Sequence, residues 1–265
     1  MFGRPRATQG DLPPVDESKM LEITPTKHIG YAHLLATLFR RYPTRSVLVA
    51  ALMITQSFLY NAIFFTYGLV LEFFFHVKAT DTGYYFFAFA AGNLAGPLTL
   101  GRLFDTIGRR QMIAGTYITA GILLAISAEL FRQGLLNATT QTLCWAVVFF
   151  FASAGASAGY LTASEVFPLE VRAKAIAVFF AIAQCFGAFG SAWYAHLIGD
   201  GSNRNTLFVG YIVGAVAMVL GGLAAVFFGV NAEGRSLEDV ATPLSVIAKP
   251  SQAIFRAGGS DSSAT

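Results

Sequence analysis

The charged residues that could hold two chain segments together lie at positions 101–110, which read GRLFDTIGRR. Asp105 precedes Arg109 by four residues, and Gly108 lies between them, where a chain can turn tightly. A carboxylate and a guanidinium at this spacing can form charge-assisted hydrogen bonds across the turn. We therefore interpret the stretch as a lock between two helix ends. The alternative interpretation is a group of basic anchors at a membrane surface.

Carboxamide side chains occur inside long apolar segments, where they could bind the polar groups of a small molecule. Gln56 and Asn61 lie in one such segment, and Asn93 and Gln184 lie in two others. Amides are costly in lipid and tend to face a cavity or a bundle interior, although hydrogen bonding between helices is an alternative role. At about 100° per residue Gln56 and Asn61 point about 140° apart on a helix. They share a cavity only if it is broad or the helix unwinds there.

The composition indicates what positions these residues. Hydrophobic residues make up 55% of the 265 residues and charged residues 12%, against about 45–50% and about 25% in soluble domains. The apolar residues form long blocks, and crossing a bilayer takes roughly 20 helical residues. Backbone polar groups in lipid must be satisfied internally, so the blocks must be helices. The predicted fold class is an all-α membrane protein with six transmembrane helices.

The apolar blocks define the organisation of the chain. The six predicted spans are Val47–Phe75, Tyr84–Leu103, Met112–Phe131, Leu143–Thr162, Ala175–Ile198 and Leu207–Val230. We expect a cytoplasmic tail or linker over 1–44, a transmembrane bundle over 45–230 and a second tail over 231–265. Pairs of glycines four residues apart, at 92 and 96, 155 and 159, and 210 and 214, predict close helix packing.

The first tail contains a short amphipathic stretch before Arg40 and Arg41. Its apolar residues recur at helical spacing and are Tyr31, Leu34, Leu35, Leu38 and Phe39. This pattern predicts a short helix on the membrane surface. A solvated linker is the alternative.

The positions of the basic residues predict the orientation. With the amino terminus inside the cell, all of the 18 basic residues except Lys78, Arg132 and Arg204 face the cytoplasm. This bias predicts cytoplasmic termini. We expect an integral membrane protein of the plasma (inner) membrane. A net charge of +3 gives no support to nucleic-acid binding.

Three stretches resemble the major facilitator superfamily, and its sugar-porter-like branch in particular. GRLFDTIGRR at 101–110 resembles that superfamily's signature cytoplasmic loop. SEVFPLEVRAKA at 164–175 resembles the sugar porters' S-E-x-F-P-x-x-x-R-x-K string, and AEGRSLE at 232–238 resembles, less completely, their E-T-K-G-x-S-L-E ending. The resemblance implies the carboxy-terminal six-helix half of such a transporter.

The resemblance also implies roles for particular residues. The implied network of the cytoplasmic face consists of Arg102, Asp105, Arg109, Arg110, Glu165 and Arg172. QSFLYNAIFFTY at 56–67 is similar to the sugar porters' seventh helix. The candidate substrate contacts are Gln56, Asn61, Phe64 and Tyr67, with Asn93 and Gln184 as further candidates. Glu72 is a candidate for proton coupling, and symport is favoured by the resemblance. We expect no cofactor and no metal.

The substrate class stays open at this stage. Sugar porters carry a stretch with proline and tryptophan just before S-E-x-F-P, whereas this chain has GASAGYL at 155–161. A small organic acid, an organic cation or an aromatic metabolite is therefore as well supported as a sugar.

The predicted function is transport of a small polar metabolite by alternating access, as half of a secondary transporter. We expect a lipid bilayer, a small-molecule substrate and a second six-helix half, either a separate chain or another copy, as partners. A binding or regulatory protein that does not transport is the alternative. An intramembrane serine protease using Ser157 and His196 is a remote one, so we expect no enzyme.

Overall fold

Six long helical segments occupy the positions of the six apolar blocks. The structure, a computed structural model, describes residues 30–229. Its helices are α1 (Tyr31–Ala36), α2 (Pro43–Leu59), α3 (Tyr67–Phe75), α4 (Thr82–Thr106), α5 (Arg109–Arg132), α6 (Ala138–Glu165), α7 (Leu169–Ile198) and α8 (Arg204–Phe228). Helices α2 and α3 together form the first segment. The predicted all-α bundle of six transmembrane helices is confirmed.

The helices extend beyond the apolar blocks and include polar residues at their ends, some of which cap the helix. Asn137 caps α6 by accepting a hydrogen bond from the Thr140 amide at 2.9 Å, and the Thr140 hydroxyl accepts one from the Asn137 amide. Gly108 has φ of 116° and joins α4 to α5 in a conformation that other residues rarely adopt. The predicted tails, with the AEGRSLE stretch, lie outside the described residues except for positions 30–44.

Five of the six segments are both long and apolar enough to cross a membrane. The segment that falls short in hydropathy is α4, although its 25 residues are sufficient in length. Tyr84, Tyr85, Asn93 and Pro97 lower its hydropathy. It packs along α6, so it belongs to the same bundle.

Glycines allow the helix backbones to approach closely. A Cβ atom on Gly92 would lie 2.5 Å from the carbonyl oxygen of Ala146, and one on Gly96 would overlap that of Phe150. On α5 and α8, Gly121 and Gly222 make similar approaches to the partner helix. The predicted close packing is confirmed at Gly92 and Gly96, which bring α4 against α6.

Helices α5 and α8 cap each other through arginines in their first turns. The Arg110 guanidinium donates a hydrogen bond to the carbonyl oxygen of Val226, in the last turn of α8. Arg204, the first residue of α8, donates to the carbonyl oxygen of Phe131 near the end of α5 at 3.0 Å. Each cation thus lies at the negative end of a helix dipole. The two caps join this antiparallel pair at both ends.

The predicted amphipathic helix is present as α1, and a π-helical turn at Thr37–Arg41 continues it. Leu34 and Leu38 are fully buried in a small apolar cluster with residues of α2 and α7. Tyr31, Leu35 and Phe39 are exposed. The bundle therefore covers only part of this apolar face, and a location on the membrane surface stays a prediction.

The glycine contact between α4 and α6 can be tested within one helix. Gly96→Ala should lower the free energy of unfolding by about 1–3 kcal/mol, because the new methyl group overlaps the Phe150 carbonyl. Gly101→Ala is the control, because a Cβ atom there would have no neighbouring atom within 4 Å. It should raise stability by about 0.5–1 kcal/mol through helix propensity. Unfolding in mixed micelles, followed by circular dichroism, measures both, and equal effects would contradict the close approach.

Candidate functional site

A cavity of about 430 Å³ lies between α2, α4, α6 and α7. Its wall combines amides, hydroxyls and aromatic rings, and consists of Gln56, Ser57, Tyr60, Asn61, Phe65, Asn93, Pro97, Ser153, Ala156, Ser157, Tyr160 and Gln184. Most of these residues lie near the middle of the spanning segments. Substrate sites of transporters built from helical repeats lie at this depth.

The first spanning segment changes its winding at the cavity. Between α2 and α3, residues Tyr60–Phe64 form a π-helical turn, and Phe65 and Thr66 follow it. Single π turns within helices are frequent at functional sites. Gln56 and Asn61 both line the cavity, and the winding changes between them. The two amides thus share one cavity although the helix does not unwind there, and a π turn begins between them.

Gln56 and Asn61 differ in how accessible the amide is to a ligand. The Gln56 Nε2 atom donates to the carbonyl oxygen of Ala152 at 3.0 Å, and the side chain is only 3% exposed. Gln56 therefore mainly joins α2 to α6, which was the alternative role. Asn61 Nδ2 donates to the carbonyl oxygen of Ser57 at 2.7 Å, and its Oδ1 atom has no hydrogen-bond donor within residues 30–229. Asn61 thus keeps a free acceptor.

Asn93 and Gln184 each use the side-chain oxygen to contact the first segment. Asn93 Oδ1 accepts a hydrogen bond from the Tyr60 hydroxyl at 2.7 Å, and Gln184 Oε1 accepts one from the Ser57 hydroxyl at 2.6 Å. In the described part of the chain their NH₂ groups form no hydrogen bond. Two amide donors are therefore available at the cavity wall.

Phe64 and Tyr67, which were predicted to contact substrate, do not line the cavity. Tyr67 is fully buried, packs on Trp145 with ring centroids 4.9 Å apart, and shares a hydrogen bond with Thr142. Phe64 packs against Phe89 at 5.1 Å. The π turn rotates these positions toward the bundle interior, and Phe65 reaches the cavity instead.

Several lining residues were not predicted from the sequence. On α6 they are Ser153, Ala156, Ser157 and Tyr160, which recur at helical spacing. That spacing of small and hydroxyl residues was a usable signal. Ser57 directly follows Gln56 on α2, whereas Tyr60 and Phe65 lie in and just after the π turn, which the sequence pattern does not reveal.

Gly187 allows α7 to reach the cavity wall. A Cβ atom at this position would lie 2.5 Å from both the Ser57 hydroxyl oxygen and the Asn61 Nδ2 atom. The Ser191 hydroxyl, one turn later on α7, donates to the carbonyl oxygen of Asn61 at 2.9 Å. These contacts hold Gln184 beside Ser57.

One end of the bundle, here called the latch end, carries the predicted charged network. Arg109 forms an ion pair with Glu165, and the two side chains are only 13% and 14% exposed. The Arg109 Nη2 atom also lies 3.8 Å from Asp105 Oδ1, but the Asp105 side chain is 71% exposed. The pair between Arg109 and Glu165 therefore dominates, and the predicted contact within the GRLFDTIGRR stretch is secondary.

The other arginines assigned to the network do not form the expected ion pairs. Arg172 donates through Nε to the carbonyl oxygen of Phe167 at 3.2 Å, and Arg110 caps α8 as described. Arg102 is exposed, and its side chain forms no ion pair within residues 30–229. Arginine reaches the free carbonyls just beyond helix ends, which compete with carboxylates as acceptors.

Arg45 is a further member of the latch end that sequence reasoning missed. Its guanidinium donates to the carbonyl oxygen of Val166 at 2.7 Å, directly after α6. Arg45 and Arg172 thus bind consecutive carbonyls at the same helix end. They join α2 and α7 to α6.

A comparison with protein families matches residues 7–244 to the family described as "Sugar (and other) transporter". The chain belongs to this family. A comparison with curated proteins gave no match. Membership confirms the resemblance to sugar-porter-like transporters of the major facilitator superfamily. The chain is thus an integral membrane protein that belongs to a transporter family and not to an enzyme family. Membership of this family implies that the chain lies in a lipid bilayer and has a small-molecule substrate.

The remaining candidate residues, for proton coupling and for the protease alternative, do not come together at the cavity. Glu72 is exposed near the end of α3 and does not line the cavity, so proton coupling through it has no geometric support. His196 lies in the last turn of α7, twelve residues beyond Gln184, which corresponds to about 18 Å. Ser157 lies at the cavity, where its hydroxyl donates to the Ser153 carbonyl at 3.0 Å. The serine and the histidine therefore do not form a catalytic pair.

The latch geometry predicts unequal effects of two carboxylate substitutions. Glu165→Gln should lower the free energy of unfolding by about 3–5 kcal/mol, because it leaves the buried Arg109 charge without a partner. Asp105→Asn is the matched control and should cost about 0.2–1 kcal/mol, because that pair is exposed. Chemical unfolding of both variants in the same micelles measures the difference. Equal losses would show that Glu165 does not dominate.

Proposed function

We propose that this chain forms one wall of a transporter for a neutral, hydroxyl-rich small molecule such as a sugar or polyol. Transport proceeds by alternating access against a second six-helix bundle. The observation that carries the proposal is the cavity wall, in which uncharged hydrogen-bonding groups face an open side of the bundle.

The lining chemistry favours a neutral solute over an ion. Among the described residues, the cavity wall contains amides and hydroxyls but no Asp, Glu, Lys or Arg side chain. An organic acid or cation would lose hydration here without gaining an opposite charge, which is costly. Of the substrate classes that the sequence left open, this argument favours sugars and polyols.

The free groups suit hydroxyl recognition. The NH₂ groups of Asn93 and Gln184 can donate to the oxygen of a ligand hydroxyl, and Asn61 Oδ1 can accept from its hydrogen. The aromatic rings of Phe65 and Tyr160 line the same wall and can pack on the apolar face of a sugar ring. The absence of a tryptophan in the 155–161 stretch is thus no obstacle to sugar binding.

The open side of the cavity supports docking of a second bundle. Only 28% of the most apolar 18-residue stretch of α7 is buried, against 61% of the corresponding stretch of the segment containing α6. Gln184 and Ser157 are exposed, and polar side chains of this kind are unfavourable against lipid. On the other flank, α4 is less apolar than the other segments. A face bordered by these two helices fits a protein partner or a water-filled pathway.

The latch end supplies an element that can favour one state. The ion pair between Arg109 and Glu165 ties α5 to α6, and Arg45 and Arg172 tie α2 and α7 to the same end of α6. We place this end in the cytoplasm from the distribution of basic residues. A rigid cytoplasmic end lets the bundle rock as a unit against its partner.

The cavity proposal predicts selective ligand binding. The purified chain should be stabilised against heat by at least one of glucose and myo-inositol, and not by gluconate or choline. Asn93→Leu and Gln184→Leu should each weaken that binding by roughly tenfold or less, since one hydrogen bond contributes about 0.5–1.5 kcal/mol. Gln133→Leu, an exposed amide beyond α5, is the control and should leave binding unchanged. Stabilisation by gluconate or choline only would refute a neutral substrate.

The one-wall geometry predicts that this chain inserts into membranes but does not move solute by itself. Reconstituted liposomes should take up no labelled glucose or myo-inositol beyond protein-free liposomes, because nothing closes against the cavity. Circular dichroism of the same liposomes verifies that the helices are formed. Saturable uptake that Asn61→Ala abolishes would instead establish a functional homodimer. If the chain binds sugar but transports none, either alone or together with a second six-helix bundle, the non-transporting alternative would be favoured.

A further inference from the structure

Within residues 30–229, three polar side chains at the end opposite the latch are buried without a hydrogen-bond partner. They are Gln141 and Trp145 on α6 and Tyr211 on α8, and all three are 0% exposed. The atoms concerned are both amide atoms of Gln141, the Trp145 Nε1 and the Tyr211 hydroxyl oxygen. In the described part of the chain, most of the buried side-chain nitrogen and oxygen atoms that have no hydrogen-bond partner belong to these three residues.

The three side chains are neighbours. The ring centroids of Trp145 and Tyr211 lie 5.5 Å apart. Gln141 precedes Trp145 by four residues, so both lie on the same face of α6. Tyr67 packs on Trp145 at 4.9 Å, and Phe131 packs on Tyr211 at 5.7 Å. Aromatic rings are therefore packed on both the indole and the phenol ring.

This cluster is separate from the substrate cavity. None of its members lines that cavity. Trp145 precedes Ser153, the nearest cavity residue on α6, by eight residues, which corresponds to about 12 Å. The cluster therefore needs its own explanation.

Buried polar groups in native proteins nearly always have partners, and where protein atoms do not supply them, ordered water does. A buried water needs two to four polar partners. Trp145 can only donate, Gln141 can donate and accept, and Tyr211 can do both. One water can thus accept from Trp145 and donate to Gln141 or Tyr211, and the second amide atom of Gln141 offers a place for another.

We propose that Gln141, Trp145 and Tyr211 form a closed site that binds ordered water between α6 and α8. Water fits better than a cation, because the cluster contains no carboxylate. Tyr67 brings α3 to the same place, where its hydroxyl meets Thr142. Three helices are thus joined through exchangeable water, and they can shift relative to one another without leaving polar atoms unpaired.

Radiolytic labelling with ¹⁸O water tests the site on the unmodified chain in nanodiscs. Hydroxyl radicals formed from a bound water label the adjacent side chains, even when these are buried. Trp145 and Tyr211 should be labelled several-fold more than Phe167 and Phe179, which are buried to the same degree and stack on each other at 5.7 Å. Labelling of Trp145 and Tyr211 at or below that of the two phenylalanines would overturn the proposal.

Two variants identify the residues that hold the water. Gln141→Leu should lower the labelling of Trp145 and Tyr211 several-fold, whereas Gln133→Leu, an exposed amide beyond α5, should not. Tyr211→Phe removes only a hydroxyl and should lower the labelling of Trp145 even if Gln141→Leu does not fold. Unchanged labelling of Trp145 in Tyr211→Phe would show that the water lies elsewhere and would overturn the proposal.

Discussion

The arrangement of this bundle depends on close contact between helix backbones at small residues. Lipid is as apolar as leucine, so packing must supply what the hydrophobic effect supplies in water. Gly92 and Gly96 place α4 directly on α6, and Gly187 places α7 on Ser57 and Asn61. Larger residues there would push the helices apart. The cavity wall, which takes residues from all four helices, would then no longer be assembled.

The π-helical turn at Tyr60–Phe64 is the second local feature on which the cavity depends. It interrupts a segment of 33 residues that would otherwise be one regular helix. Tyr67 turns inward and Phe65 turns toward the cavity. A local change in winding therefore decides which aromatic ring a solute can meet.

Charge is concentrated at the two ends of the bundle, where arginines bind helix termini. Arg45 and Arg172 bind carbonyls after α6, and Arg110 and Arg204 cap α8 and α5. The ion pair of Arg109 with Glu165 is the most enclosed charge contact at the latch end. Within residues 30–229 the middle of the bundle carries no charged side chain, as the low polarity of the bilayer core requires, and the arginines lie at the ends.

The sequence by itself determined the six segments, the charged stretches and the family, because each is recorded in composition or local spacing. It also predicted Asn61, Asn93 and Gln184 as candidates for a cavity, since an amide in an apolar segment tends either to face a cavity or to join helices. The tertiary structure decided that Phe65 and Tyr160 line the cavity while Phe64 and Tyr67 do not, and that Arg172 binds a carbonyl rather than Glu165. The physical reason is that helix winding and contacts between helices set the direction of each side chain. The spacing of residues within one segment predicts neither.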